Sequence, residues 1–492
     1  MECRKKLKPV MFVGTASDVG KSIITAGFCR IFKQDGYAPA PFKAQNMSLN
    51  SYATPEGLEI GRAQAVQAEA AGIPCHTDMN PVLLKPTSDK TSQVILNGKP
   101  LGNMSAKDYF ASSNRHNLFP EVCAAFHRLN QRFSPIVMEG AGSISELNLK
   151  HRDITNLRMA IEAKAATYLI ADIDRGGVFG SLYGTMELLS ENERACIKGI
   201  IINKFRGDAA LFDEGKRMIE RLCRVPVVGI LPYFIDIVIE EEDSVSLKKK
   251  KGYAVAGKVN VAVILLNKLS NFTDFNRLEK DSRVNLYYSI DKNEISKADI
   301  VIIPGSKNTI EDVIALRNKG VAKAITEAFK NNKTIIGICG GFQMMGQLIQ
   351  DPEYVESRIA EVQGLGILPV KTILRTEKTT KQCRFTHMDM SDSCTGYEIH
   401  MGETFAGEKE QPLNYFEDGR TDGYLLNVKC WGTYLHGILD NPSVINRLLS
   451  PYTEKTEEIG DYGDFKEEQY DKLALLIRKH VDMEQIYNTI KL

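Results

Sequence analysis

The chain of 492 residues has no excess of either charge sign, with Lys plus Arg and Asp plus Glu at 62 each. It therefore offers no global field that would recruit nucleic acid or an anionic membrane, and a small molecule is the expected partner. No apolar stretch reaches membrane-spanning length, and Met1-Glu2-Cys3-Arg4-Lys5-Lys6 leads into no apolar signal segment, so a soluble cytoplasmic protein is expected. The ten cysteines stand singly, without a C-x-x-C pair or a metal-finger spacing, a pattern that fits reduced thiols and argues against a disulfide scaffold. Tandem repeats and low-complexity segments are also missing.

What is present is α/β patterning over enough chain for about three domains. Apolar runs at 10–13, 135–138, 167–171, 199–202 and 225–230 alternate with helical patterns at 21–33, 57–71 and 211–222. Strands this uniformly apolar predict a parallel sheet covered on both faces. The charge-dense stretches 240–243 and 248–251 suggest a linker. A second series then follows at 259–266, 300–303, 334–338 and 424–429. The expected fold is two doubly wound α/β domains, 1–235 and 258–445, joined by a linker at 236–257 and followed by a helical tail at 446–492. The apolar face of that tail, Leu473, Leu476, Ile477, Val481 and Ile486, is expected to pack on the second domain.

Within the second series, Gly337-Ile338-Cys339-Gly340-Gly341 follows an apolar strand and opens into a helix-like stretch. Glycines on both sides permit a sharp turn, and the helix start favours thiolate over thiol. Gly432-Thr433-Tyr434-Leu435-His436-Gly437 places a histidine between turn-formers after another strand. A lone Cys or His in such a position is usually packed core. Together, Cys339 and His436 form a candidate pair for covalent catalysis.

Near the N-terminus a strand leads into Gly14-Thr15-Ala16-Ser17-Asp18-Val19-Gly20-Lys21-Ser22 and then a helix. Gly14, Thr15, Asp18 and Gly20 shape a loop whose N–H groups, with Lys21, suit a triphosphate, and the Ser22 hydroxyl would sit on Mg²⁺. Five residues separate the glycines where the standard P-loop has four. Glu139, at a strand end before glycines, is fit to hold a metal, and Lys43 would offer a cation to a developing anion. Asp172 and Asp174 end another strand beside Arg175-Gly176-Gly177. A thiol that cleaves a carboxamide and a Mg-nucleotide site that activates a carboxylate describe amide synthesis from glutamine, with ammonia passing along a sheltered path between the two.

These residues carry a resemblance. Residues 337–341 and 432–437 resemble class I glutamine amidotransferase domains. The whole chain resembles the cobyric acid synthase family through 14–22 (GTASDVGKS), 41–51 (PFKAQNMSLNS), 61–68 (GRAQAVQA), 137–142 (VMEGAG), 171–180 (ADIDRGGVFG), 304–309 (PGSKNT) and 396–402 (GYEIHMG). The first domain is also similar to dethiobiotin synthetase, whose nucleotide loop has the longer glycine spacing. The resemblance implies that Lys21 and Ser22 serve phosphate and Mg²⁺, Lys43 the activated carboxylate, Glu139 the metal and Asn203 the nucleotide base. It also implies that ATP and L-glutamine are used to amidate four peripheral carboxylates, b, d, e and g, of adenosylcobyrinic acid a,c-diamide.

One departure stands out. The usual Glu two residues after the histidine is Ile438 here, as in the Cys–His dyad of the cobalamin amidases, so Glu398 and His400 are the candidates for supporting His436. The N–H groups around Gly305 and those after the thiol, at Gly341, are candidates for an oxyanion hole. Three rivals stay open: the synthase that amidates the a and c positions, a P-loop regulatory ATPase with an inert amidotransferase-like appendage, and an amidotransferase subunit of a cell-wall ligase. A homo-oligomer is compatible with the pattern.

Overall fold

The computed structural model describes residues 6–87, 90–105, 109, 118–240, 250, 252–407, 410–454, 460 and 462–492. Of the expected linker, 241–249 and 251 lie outside the described residues. Six strands form the first sheet: β1 (Val10–Gly14), β2 (Ala40–Phe42), β3 (Ile136–Glu139), β4 (Ala166–Asp172), β5 (Ile197–Phe205) and β6 (Val227–Pro232). Their order is β6-β5-β4-β1-β3-β2, and every pairing is parallel. Apolar clusters cover both faces, which is why these strands read as continuous hydrophobic runs. The chain switches sides of the sheet at β1, so the turn into α1 (Lys21–Gln34) lies in the crevice where open α/β sheets bind ligands.

Between β2 and β3 lie α2 (Arg62–Ala71) and a small sheet of 45–47, 82–86, 91–96 and 99–105. Sequence periodicity gave no sign of that sheet, because its strands are short and polar at many positions.

The second sheet contains β7 (Val259–Ile264), β8 (Val284–Ser289), β9 (Ile300–Ile303) and β10 (Thr334–Ile338), and β10 runs into α3 (Gly340–Met345). A long antiparallel pair, β11 (Val370–His387) and β12 (Cys394–Ala406), builds a separate layer. The chain then returns through β13 (Tyr424–Asn427) and β14 (Cys430–Thr433), giving the order β8-β7-β9-β10-β14-β13. A two-residue strand, β15 (Leu435–His436), pairs with β12.

The C-terminal helices α4 (Tyr462–His480) and α5 (Met483–Ile490) correct one expectation. Their apolar face packs on the first domain: Leu473, Ala474, Ile477, Val481 and Ile486 share a core with Val10, Phe12 and Phe28. Gly27 of α1 provides the groove, since a β-carbon there would collide with Ile477 Cδ1. Ion pairs from Arg30 to Glu467 and Asp471 flank the contact, and Asp482 N–H donates to Val228 O at 2.7 Å. An apolar stripe fixes how much surface must be covered, while a groove assembled elsewhere in the fold decides what covers it. No helix among the described residues is long and apolar enough to cross a membrane, and the nine described cysteines are unpaired.

Candidate active site

Two adjacent parallel strands bring the thiol and the imidazole together. β10 and β14 pair in register Ile338↔Thr433, and Cys339 N–H extends the ladder to Thr433 O at 2.7 Å. Cys339 has φ +51°, a left-handed conformation costly for a residue with a β-carbon. Its Sγ lies 3.6 Å from Ile399 O. Three residues past the end of β14, His436 pairs with Tyr397 of β12, whose ring stacks on the imidazole at 5.4 Å.

Asp274 orients the imidazole. His436 Nδ1 is 2.7 Å from Asp274 Oδ2, and Gly437 N–H donates to Asp274 Oδ1 at 3.0 Å, so both carboxylate oxygens are engaged. Both side chains are buried, at 1% and 2% exposure, which leaves the pair almost unscreened by solvent. Burial opposes protonation of His436, but the Asp274 carboxylate and the Cys339 side chain outweigh it and raise its pKa from 6.5 to about 10. Sequence reasoning missed Asp274 because 162 positions separate it from His436 and no spacing links them. The one signal was a carboxylate in the apolar surroundings of Phe272-Thr273-Asp274-Phe275.

The carboxylate expected to help, Glu398, is on the wrong face. Neighbouring strand residues point to opposite sides, and since Tyr397 faces His436, Glu398 turns to Arg420 Nη1 at 2.9 Å. His400 does line the thiol pocket, but its Nδ1 bonds Gly402 O at 2.8 Å and its ring stacks on Tyr434, so it does not reach His436 as a support. Gly341 leaves room for no side chain, because a β-carbon would strike Ile303 O. At Gly305 a β-carbon would meet Ser270 Oγ at 3.0 Å and His436 Cε1 at 3.3 Å.

The phosphate loop is built from the first sheet. Thr15 N–H donates to Ile170 O at 3.0 Å, and Lys21 Nζ donates to Ala16 O and Gly142 O at 2.9 Å each, drawing the loop around the ammonium. Asp18 has φ +57°, and its carboxylate is 3.5 Å from Arg175 Nη2. Gly20 has φ +100°, and a β-carbon there would collide with Asn203 Nδ2, which donates to Val19 O at 2.8 Å. At the crevice floor, the buried Glu139 accepts hydrogen bonds from Ser22 Oγ and Lys43 Nζ at 2.8 Å each and from Gln67 Nε2 at 2.6 Å. Burial pushes the Glu139 carboxyl up, but the Lys43 ammonium and these hydrogen bonds hold it below the usual range. Ser22, Lys43 and Glu139, distant in sequence, thus meet at one point. Asp172 pairs with Lys204 at 2.8 Å and Asp174 pairs with Arg206; both line a cavity of about 510 Å³ that also takes in Gly20 and Asn203.

The two halves share walls. The Cys339 pocket includes Lys85 from the first domain. The 510 Å³ cavity includes Phe272, Asn276 and Glu279 from the second domain and Leu473 and Ile477 from the tail. The segment from Asn271 to Glu279 therefore borders both sites, with Asn271 on the thiol pocket and Asp274 on His436. Across the same junction Asn50 and Asn271 exchange bonds, Phe272 N–H to Asn50 Oδ1 at 3.2 Å and Ser51 N–H to Asn271 Oδ1 at 3.0 Å.

Comparison with known proteins agrees with this division. Residues 10–247 match the CobQ/CobB/MinD/ParA nucleotide binding domain and residues 260–444 the CobB/CobQ-like glutamine amidotransferase domain. The chain is 62% identical over 494 residues to the cobyric acid synthase of Parabacteroides distasonis, covering 99% of this chain and 100% of the relative. The chain belongs to the cobyric acid synthase family. Its similarity extends to the Bacteroides fragilis enzyme of that name, 60% identical over 99% of both chains, and to the Listeria monocytogenes enzyme, 47% identical over 99% of this chain and 97% of the relative. As a family member it is a glutamine amidotransferase-type ligase with a P-loop nucleotide-binding domain.

Proposed function

We propose that this protein uses ATP and L-glutamine to amidate the b, d, e and g carboxylates of adenosylcobyrinic acid a,c-diamide, giving adenosylcobyric acid in the cytoplasm. The observation that carries this reading is the shared boundary of the two sites: the Cys339 pocket opens at the junction of the halves, with Lys85 of the nucleotide-binding half in its wall.

Cys339 and His436 are assigned as the glutaminase pair, with Asp274 as the positioning residue. The thiolate attacks the amide carbon of glutamine, and the His436 imidazolium delivers its proton to the departing nitrogen, releasing ammonia. Water then cleaves the thioester to glutamate and restores the thiol. N–H groups near Gly305 and Gly341 are assigned to the oxyanion of the tetrahedral intermediate.

In the other half, Lys21 and the loop N–H groups hold the triphosphate, Asn203 faces the base, and Lys43 steadies the substrate carboxylate as it accepts a phosphoryl group. Ammonia attacks the resulting acyl phosphate and phosphate leaves. A divalent cation would be held by Ser22 Oγ and Glu139, a hard-oxygen pair completed by phosphate oxygens. Gln67 Oε1, buried without a partner among the described residues, leaves acceptor capacity beside that pair, so the donor set fits Mg²⁺. When bound, the metal offsets the phosphate charge.

Mass spectrometry of the corrinoid after incubation with glutamine and Mg-ATP tests the reading. Four successive acid-to-amide conversions, abolished with glutamine by Cys339→Ala, are expected. A product that stops at the diamide, or glutamine turnover that survives this substitution, would refute it.

A further inference from the structure

Three lysines line the Cys339 pocket. Lys85 comes from the small sheet of the first domain, Lys378 from β11 and Lys307 from the loop after β9. Two of them are matched: Glu59, fully buried, takes Lys85 Nζ on one oxygen at 2.7 Å and Lys378 Nζ on the other. Lys307 is only 9% exposed, and its ammonium makes no hydrogen bond or ion pair among the described residues. The carboxylate that attracts it most, Glu356, already accepts Thr309 N–H at 2.7 Å. His400, on the same wall, has its Nε2 3.5 Å from Glu398 Oε1. The Lys307 ammonium is thus held by attraction to Glu356 and Glu59 without a direct hydrogen bond, which leaves its donors available to an incoming anion.

The chemistry of the pocket limits which anion that can be. On the glutaminase reading a carboxamide lies at the thiol, so an anion met by the lysines would be a carboxylate elsewhere on the same ligand, and the pocket also holds a carboxylate, Glu356, suited to an ammonium. We propose that Lys307 is the docking point for the α-carboxylate of the amide donor and Glu356 for its α-ammonium, with Lys85 of the nucleotide-binding half completing the site. This rests on the glutaminase reading of Cys339.

The proposal accounts for the cross-domain ion cluster. Specificity for an α-amino acid would depend on both halves being docked, since Lys85 and Glu59 belong to one and Lys307 and Lys378 to the other. Burial, with Lys85 beside it, lowers Lys307, burial brings Lys378 down to about 7 and burial lifts Glu356 to about 7, so the pocket gathers ionisable groups whose charges are held at a cost.

The test uses the full-length protein and compares kcat/KM for ammonia release from L-glutamine with that from 4-aminobutanamide, which lacks only the α-carboxylate. In Lys307→Met the ratio of the two values is expected to fall roughly 10- to 100-fold, the worth of one charged hydrogen bond, and Lys307→Arg should restore part of it. An unchanged ratio, with both substrates losing equally, would mean that Lys307 acts on the thiol or the fold and would overturn the proposal. In the unaltered protein, L-glutamate should protect Cys339 from iodoacetamide and 4-aminobutanoate should not, and equal protection would likewise overturn it. If the unaltered protein released no Cys339-dependent ammonia at all, the glutaminase reading itself would fall, a result separable from both of these.

Discussion

Replacing Asp274 by Asn keeps the shape beside His436 and removes the charge. The rise of the imidazole from 6.5 to about 10 corresponds, at roughly 1.4 kcal/mol per unit, to on the order of 5 kcal/mol in favour of the imidazolium. Asp274 supplies the largest stabilising share against the opposing effect of burial, so losing its charge should withdraw about 3 kcal/mol and cut kcat for ammonia release roughly 100-fold. In the proposed mechanism the imidazolium is the acid that protonates the departing nitrogen, so the alkaline limb of the pH–rate profile should lie near 10 in the unaltered protein and fall by about two pH units in Asp274→Asn. Stability should change in the same sense. A histidine with a raised folded-state pKa stabilises fully below 6.5 and loses that contribution as pH rises through about 10, so the Tm gap between the two proteins should be widest in acid and close in alkali. Ammonia release measured from pH 6 to 10.5, with melting curves at the same pH values, provides the check. An unshifted alkaline limb with undiminished kcat would refute the assignment of Asp274.

The two catalytic halves should separate by mutation. Lys21→Ala should abolish amide formation from either glutamine or free ammonia, whereas Cys339→Ser should lose only the glutamine-driven reaction, as read by product formation with each nitrogen source. Gly341→Ala should be destabilised by more than about 3 kcal/mol in denaturant unfolding, because its new methyl group would be driven into the Ile303 carbonyl. Ile477→Ala, which empties the contact between the tail and α1, should cost about 2–5 kcal/mol in the first domain's unfolding, and a loss confined to the second domain would contradict the packing described.

The parts of this structure that could be read in the sequence were those with local causes. β1, β4, β9 and β10 are buried on both faces and so are continuously apolar. The turns at Gly20 and Cys339 lie between glycines and helix starts, so both loops could be placed before their contacts were known. Asp274 had no such local cause. It orients His436 from a 3₁₀ turn near the start of the second domain, and only tertiary packing brings it there. Glu398 looked plausible from its proximity in sequence, but the strand's two-residue alternation gives Tyr397 to the imidazole and sends Glu398 the other way. The tail's helical apolar face could also be foreseen, whereas its partner depended on Gly27, a residue that carries no sign of what will lie against it.

Transfer of nitrogen between the two sites can be followed directly. The full-length protein would be given the diamide, Mg-ATP and glutamine labelled with ¹⁵N in its side-chain amide, in the presence of excess unlabelled ammonium, and the isotope content of the product amides would be measured. Product nitrogen that is predominantly ¹⁵N is predicted, because ammonia released at Cys339 would reach the nucleotide-primed carboxylate without mixing with solvent. Product nitrogen that matches the bulk ammonium pool would contradict it.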